Sequence, residues 1–159
     1  MDFLRKHKYL ALLLMLVLAA GLLFTGCVSD GADTGKDSYE SDAAAITEDG
    51  HYTAPQDVAD YLHQFGHLPD NFITKNEARD LGWDSQEGNL DEVAPGMSIG
   101  GDSFGNREGL LPKEKGRKYY ECDVNYEGGY RGGERIVYSS DGLIFYTGDH
   151  YESFEQLYE

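Results

Sequence analysis

The sequence predicts an α+β domain in which helices pack against one face of an antiparallel sheet. Two observations support this prediction. Between residues 51 and 96, apolar side chains recur at helical spacings, and the segments begin and end with helix-capping residues. After residue 96, short runs of β-branched and aromatic residues alternate with glycine-rich breaks, which is the pattern of hairpins.

The first predicted helix lies in "TAPQDVADYLHQFG". Thr53 is the expected N-cap, and Pro55 suits the first turn because its missing N–H has no partner there. Gly66 is expected to end the helix. The apolar stripe at spacings of three and four residues consists of Val58, Tyr61, Leu62 and Phe65.

Two shorter helices are predicted next. In "TKNEARDLGW", Thr74 and Glu77 have the spacing of a capping box, and Ala78 and Leu81 are expected to face inward. In "NLDEVAPG", Asn89 is the expected N-cap of a third, short helix.

The strand-like runs are "MSIGGDSF", "RKYYECDVNY", "ERIVYSS" and "LIFYTGDHY". Side chains alternate between the two faces of a strand, so Tyr119, Glu121 and Asp123 share one face. Tyr120, Cys122 and Val124 lie on the other face, and their apolar character indicates that this face is the core side. The sequence therefore predicts an inert buried thiol at Cys122 and a face carrying Glu121 that is open to solvent.

The first 27 residues are typical of a secretory signal peptide. A basic start, "MDFLRKHK", precedes an apolar run over residues 9–24 and the small residues before Cys27. "LFTGC" resembles a lipobox, so Cys27 is a predicted lipidation site; ordinary secretion with cleavage nearby is the alternative. Both hypotheses place the mature chain outside the cytoplasm, either secreted or anchored to the outer face of the membrane.

Residues 28–50 are predicted to be a flexible acidic linker, because they contain few large apolar side chains. Residues 51–159 then form the folded domain. The chain has a net charge of −16, and residues 51–159 contain nine Lys and Arg against 21 Asp and Glu. Such an acidic domain lacks the overall electrostatic footprint of a nucleic-acid-binding protein, so any affinity for phosphate depends on a local cluster.

Glu121, Arg131, Arg135 and His150 form the candidate chemical constellation. A carboxylate and a histidine can act as general base and general acid near neutral pH, and two arginines can clamp a phosphate. These groups suit metal-free phosphoryl transfer on RNA, whose 2′-hydroxyl supplies the nucleophile. Spacing alone also allows cross-strand ion pairs and a surface histidine.

A resemblance favours the catalytic interpretation. The chain from Val58 to Tyr151 is similar to the barnase-like, extracellular guanyl-preferring ribonucleases of the microbial ribonuclease superfamily. The similar motifs, in order, are "VADYL", "LPDNFITKNEARDLGW", "GNLDEVAPGMSIGGDSFGNREGLLP", "GRKYYECDVNY" and "GYRGGERIVYSSDGLIFYTGDHY". The resemblance implies three N-terminal helices and a five-stranded antiparallel sheet.

The resemblance also implies roles for individual residues. Glu121 falls on the family's general base and His150 on its general acid. Arg131 and Arg135 fall on its phosphate-binding arginines, and Lys75 on a lysine that is important for catalysis. The implied reaction proceeds through a 2′,3′-cyclic phosphate and needs no metal or cofactor.

The guanine-recognition loop of the family falls on "FGNREG". Glu108 would accept hydrogen bonds from guanine, while backbone N–H groups near Asn106 and Arg107 would meet its O6 atom. Phe104 and Tyr151 would stack near the bases. Gly105 departs from the family, which usually has serine there.

The implied partners are single-stranded RNA and an inhibitor protein of the barstar type, and the domain is expected to be a monomer. Two alternatives to a ribonuclease that scavenges nutrients remain open. One is a catalytically weakened nucleotide-binding lipoprotein, and the other is the same cleavage used as an antibacterial toxin.

Overall fold

The computed structural model describes residues 45–159. The predicted signal peptide, Cys27 and the linker up to residue 44 lie outside the described residues. The described residues contain three helices: α1 (Pro55–Phe65), α2 (Lys75–Asp80) and α3 (Leu90–Val93). Six strands follow or separate them: β1 (Phe72–Ile73), β2 (Ser98–Phe104), β3 (Tyr119–Asp123), β4 (Arg135–Ser139), β5 (Ile144–Thr147) and β6 (Glu155–Tyr158). No helix within residues 45–159 has the length and apolar character needed to cross a membrane.

The strands form one sheet in the order of the chain, from β1 to β6. Neighbours from β2 to β6 are antiparallel, as predicted. The prediction of five strands is wrong, because β1 adds a sixth that runs parallel to β2. Strand β1 has only two residues, which is too few for a periodic sequence pattern. Just before it, the Asn71 carbonyl oxygen accepts the Ser98 N–H over 2.8 Å.

Helix α1 forms where the apolar stripe predicts it, and Val58, Ala59, Tyr61 and Leu62 are buried. The predicted N-cap is wrong by one residue. Ala54 occupies the N-cap position and no side chain caps the helix, because Pro55 begins it and removes one of the N–H groups that need a partner. The predicted end is confirmed, since Gly66 adopts a left-handed φ of 76°.

Helix α2 begins with the predicted capping box. Thr74 N–H donates to Glu77 Oε2 over 2.8 Å, and Glu77 N–H donates to Thr74 Oγ1 over 3.3 Å. Ala78 is fully buried, as predicted, but the inward orientation predicted for Leu81 is wrong. Leu81 is 55% exposed because the helix ends after less than two turns, and Trp83 fills the core beyond it.

Asn89 is the N-cap of α3, but its side chain does not cap the helix. Its amide instead holds the preceding turn. Asn89 Oδ1 accepts from Asp84 N–H over 2.8 Å, and Asn89 Nδ2 donates to the Gly82 carbonyl oxygen over 3.2 Å. The turn before the helix therefore uses the side chain that would otherwise cap it.

The main core lies between α1 and the sheet. Its buried members are Val58, Ala59, Leu62, Cys122, Val124, Ile136 and Ile144. The predicted buried thiol is confirmed: Cys122 is a free cysteine with no exposed surface. Burial raises the pKa of its thiol far above the usual range, which keeps it protonated and unreactive.

The opposite face of the sheet is only partly open. Tyr119, Val137 and Phe145 are buried there together with Leu111, which comes from the long connection between β2 and β3. The prediction of a solvent-open face is therefore wrong at this end of the sheet. The connection packs over the face, and the neighbouring carboxylates are left partly enclosed.

The first described residues contact the helical layer. Tyr61 Oη donates to the Glu48 carbonyl oxygen over 2.8 Å. A turn closes between Thr47 and Gly50, and the Tyr52 hydroxyl lies against it. Residues 47–50, although part of the predicted linker, are thus tied to α1.

Candidate active site

Strand β3 presents two carboxylates on the sheet face away from α1. Glu121 is 7% exposed and Asp123 is 2% exposed, because the surrounding loops cover them. A buried carboxylate needs hydrogen-bond donors or cations in compensation. Both find such partners, and the partners are the basic side chains that the sequence singled out.

Glu121 is held by two donors, one on each carboxylate oxygen. Lys75 Nζ lies 2.6 Å from Oε1, and Tyr151 Oη donates to Oε2 over 2.7 Å. Lys75 is the first residue of α2, and its N–H donates to Asp102 Oδ2 over 2.9 Å, which ties the start of this helix to β2. The position of this helix end therefore places the Lys75 ammonium group beside Glu121.

These contacts decide the protonation state of Glu121. Burial raises the pKa of its carboxyl, but the hydrogen bonds from Lys75 and Tyr151 and the charges of Lys75 and Arg131 outweigh burial. The net result is a pKa below the usual value, so the group is ionised at neutral pH. Burial and the hydrogen bond to Glu121 raise the pKa of Tyr151, which remains a donor.

Asp123 holds both arginines. Arg131 forms a forked contact, with Nε 2.5 Å from Oδ2 and Nη2 2.6 Å from Oδ1. Arg135 Nε lies 2.8 Å from Oδ1, although its N–H is not aimed at that oxygen, so this contact is an ion pair without a well-formed hydrogen bond. Arg135 Nη1 donates to the carbonyl oxygens of Gly132 and Glu134.

The loop between β3 and β4 is anchored so that Arg131 points at the site. Asp91, on α3, accepts the Gly129 N–H over 3.0 Å. The Arg131 guanidinium also lies 5.9 Å from the Trp83 ring centroid. Burial lowers the pKa of Arg131, but its hydrogen bond and charge contact with Asp123 outweigh this and raise the pKa, so the cation persists.

His150 lies at the tip of the turn that connects β5 with β6. It adopts a left-handed φ of 57°, and Tyr151 follows with 74°. Such conformations cost roughly 1–3 kcal/mol each and need support from their surroundings. Asp149 supplies it: its carboxylate accepts from Thr147 Oγ1 and from the N–H and hydroxyl of Ser153. These donors lower the pKa of Asp149 to about 2.

Two concave surfaces meet at His150, whose ring is exposed. One is lined by Trp83, Ser85, Gly88, Gly129, Tyr130, Arg131, Gly132, Arg135 and His150. The other is lined by Phe104, Glu108, Leu110, His150, Tyr151 and Glu152. Phe104 and Tyr151 stack on each other with ring centroids 5.3 Å apart. The histidine is therefore positioned between the arginine pair and the predicted base-recognition residues.

The predicted recognition loop is shaped by Asn106, which has a φ of 40°. Its side chain bridges the backbone of Leu111, with Nδ2 2.9 Å from the carbonyl oxygen and Oδ1 3.1 Å from N. Arg107 is exposed, and no hydrogen bond or ion pair of its side chain is present within residues 45–159. A Cβ atom at Gly105 would meet only this side chain, at 3.5 Å, so the backbone does not require glycine there.

The structure adds site residues that sequence reasoning missed. Asp123 lies on the predicted face beside Glu121, and its binding of both arginines is a role that the sequence does not reveal. The same holds for the contact of Asp102 with α2 and for the hydrogen bond from Tyr151, which is predicted only to stack on bases. The i, i+2 spacing of Glu121 and Asp123 was the available signal. Within residues 45–159, no three His, Cys, Asp or Glu side chains cluster as a metal site would require.

The Asp123→Asn substitution tests whether Asp123 organises this site. It leaves Arg135, which is 3% exposed, without its carboxylate. Breaking a buried pair by neutralising one partner costs about 3–5 kcal/mol. We expect the free energy of unfolding, measured with urea at neutral pH, to fall by that amount. Asp141→Asn, which breaks the more exposed pair with Arg117, is the control and should cost much less; equal losses would contradict the assignment.

Comparison with known proteins shows the family to which the chain is similar. A family model described as ribonuclease matches residues 55–158. A ribonuclease of Bacillus intermedius is 46% identical over 152 residues, which cover 90% of this chain and 94% of the relative. A ribonuclease of Heyndrickxia coagulans is 57% identical over 100 residues, 63% of this chain and 92% of the relative. Guanyl-specific ribonuclease St of Saccharopolyspora erythraea is 47% identical over 55 residues, 34% of this chain and 54% of the relative. The chain belongs to the ribonuclease family.

Proposed function

We propose that the protein is an endoribonuclease that cleaves single-stranded RNA on the 3′ side of guanosine, through a 2′,3′-cyclic phosphate and by metal-free acid–base catalysis. One observation carries the proposal. Glu121 is held ionised by Lys75, Tyr151 and the charge of Arg131, and His150 lines the pocket that contains Arg131 and Arg135.

Glu121 is the general base. Each of its oxygens accepts one hydrogen bond from the protein, which leaves a further lone pair on each for the ribose 2′-hydroxyl. As Glu121 takes the proton, the 2′-oxygen attacks the adjacent phosphorus and the bond to the 5′-oxygen breaks. DNA lacks this hydroxyl, so the protein would not cut it.

Arg131, Arg135 and Lys75 bind the scissile phosphate. Asp123 already orients both guanidinium groups, so little reorganisation is needed when the phosphate arrives. The three cations exceed the two buried carboxylates by one charge. Negative charge that develops on the phosphate oxygens is stabilised in a partly enclosed site, where such interactions are stronger than in water.

His150 is the general acid. Its ring is exposed in the pocket beside both arginines, where it can reach the departing 5′-oxygen. In its protonated form it completes the first step by donating a proton to that oxygen. In the second step the roles reverse: His150 activates water, and Glu121 returns its proton as the cyclic phosphate opens to a 3′-phosphate.

Guanine is read by the loop that contains Asn106, Arg107 and Glu108. The Glu108 carboxylate accepts from the N1 and N2 groups of the base, and backbone N–H groups near Asn106 and Arg107 meet O6. Phe104 and Tyr151, already stacked, provide an aromatic surface for the bases. The guanyl-specific relative supports this preference, and Asn106 holds the loop in shape through Leu111.

Residues 1–27 are proposed to direct export, and Cys27 to carry a lipid that anchors the domain outside the cell. Fractionation tests this, because a Cys27→Ser variant should leave the membrane fraction if the lipid holds the protein there.

A monomeric domain of this kind would bind a barstar-type inhibitor through the same basic cluster that binds phosphate. An acidic inhibitor has the charge that Lys75, Arg131 and Arg135 attract.

Cleavage of a guanosine-containing RNA oligonucleotide in excess EDTA tests the activity. We expect 2′,3′-cyclic phosphate ends after guanosine and no product from the matching DNA. Glu121→Gln and His150→Gln should each lower kcat by about a hundredfold or more, because each removes one acid–base group.

Two matched variants serve as controls. Glu127→Gln and His51→Gln remove the same groups from exposed positions and should leave the rate unchanged. Full activity in Glu121→Gln, or metal-dependent cleavage, would contradict the mechanism.

The pH dependence of kcat/KM tests the contacts of Glu121. Because hydrogen bonding and positive charge lower the pKa of Glu121, the base should stay active to a pH below the usual value for glutamate. Tyr151→Phe removes one of these hydrogen bonds, so the pKa rises and the acidic limb of the profile moves to higher pH. Lys75→Met should move it further, since it also removes a charge. Tyr120→Phe removes a hydroxyl from the opposite face of β3 and should not move it; an unshifted limb in both site variants would refute the assignment.

A further inference from the structure

A further concave surface borders the recognition loop, and His150 is not among the residues that line it. Its volume is about 310 Å³, and Phe104 is the single residue it shares with the surface that contains Glu108 and His150. Its walls are the end of β2, the start of the recognition loop and the connection that leads into β3. Apart from Phe104 and Asn106, the residues that line it have no role in the proposed mechanism.

This surface has an unusual concentration of positive charge for an acidic domain. Four of the nine basic residues of the domain lie between positions 113 and 118, in "KEKGRK". The Arg117 side chain is already paired within the protein: its guanidinium donates to Asp141 over 2.7 and 2.9 Å and to the Pro112 carbonyl oxygen. Lys113 and Lys118 also line the surface and form no ion pair within the described part of the chain.

The two lysines project from an ordered backbone. The Lys118 N–H donates to Ser140 Oγ over 3.1 Å, and its carbonyl oxygen accepts the Ser140 N–H over 2.8 Å. Lys113 reaches back to the recognition loop, because a Cβ atom at Gly109 would lie 3.0 Å from Lys113 Nζ. The carboxylate of Glu114 lines the same surface, so the two lysines exceed it by one positive charge.

The polarity of the substrate indicates what these lysines meet. In the proposed function the scissile phosphate, on the 3′ side of guanosine, lies at Arg131, Arg135 and His150, and the base lies in the recognition loop. An RNA strand that continues in the 5′ direction must leave the recognition loop along another edge, and the surface with Lys113 and Lys118 borders that loop at Gly105 and Asn106. We propose that Lys113 and Lys118 form a subsite for the phosphodiester on the 5′ side of the guanosine, an inference that rests on the proposed function.

Two substrates separate this subsite from the catalytic centre. The dinucleotide GpU has no 5′ phosphodiester, whereas UpUpGpU extends the same scissile bond by two upstream nucleotides. Lys113→Gln and Lys118→Gln should each lower kcat/KM for UpUpGpU by roughly threefold at low salt, since the contacts are exposed to solvent. The slope of log kcat/KM against log salt should become shallower by about 0.7 for each lost phosphate contact. Both variants should cleave GpU at the rate of the unchanged protein.

Lys115→Gln is the matched control. It removes the same charge from the same segment, but Lys115 does not line the surface, so the UpUpGpU rate should stay unchanged. If all three variants behave alike on UpUpGpU, the effect is general electrostatic attraction and the subsite is refuted. Failure of the unchanged protein to cleave either GpU or UpUpGpU would instead overturn the proposed function, and the subsite with it.

Discussion

The buried ion pairs of Asp123 are the interaction on which the site depends. A carboxylate that is 2% exposed must be compensated, and its compensation comes from two guanidinium groups on a glycine-rich loop and on β4. The desolvation of these charges is costly, so the pairs are a weak source of net stability. What they provide is position: both arginines are held in place before any phosphate is bound.

Glu121 and Asp123 show how two carboxylates on one strand acquire different roles. Asp123 is used by the protein to hold Arg131 and Arg135. Glu121 receives one donor on each oxygen and keeps further lone pairs, which in the proposed function accept the ribose proton. The domain as a whole is acidic, yet the cations concentrate where a phosphate would bind. An overall negative charge therefore does not exclude a ribonuclease, because the local field at the site is set by groups within a few ångströms.

The sequence predicted a helix or strand correctly where residues close together in the chain specify it. The stripe of α1 and the capping box of α2 both formed as expected, because hydrogen bonds and apolar contacts within a few residues specify them. The prediction failed where distant residues decide. Leu81 is exposed because Trp83 occupies the core instead, and the parallel strand β1 exists only because β2 supplies its partners.

The sequence by itself determined the fold class, the face on which Glu121 lies and, through resemblance, the set of residues to examine. Side-chain alternation and apolar periodicity are local, so they can be read without coordinates. Only the tertiary structure decided that Lys75 and Tyr151, 46 and 30 residues away in sequence, donate hydrogen bonds to Glu121. It also decided that Asp123 forms ion pairs with the arginines. Those contacts join separate elements, and the distances between elements depend on how the whole chain packs.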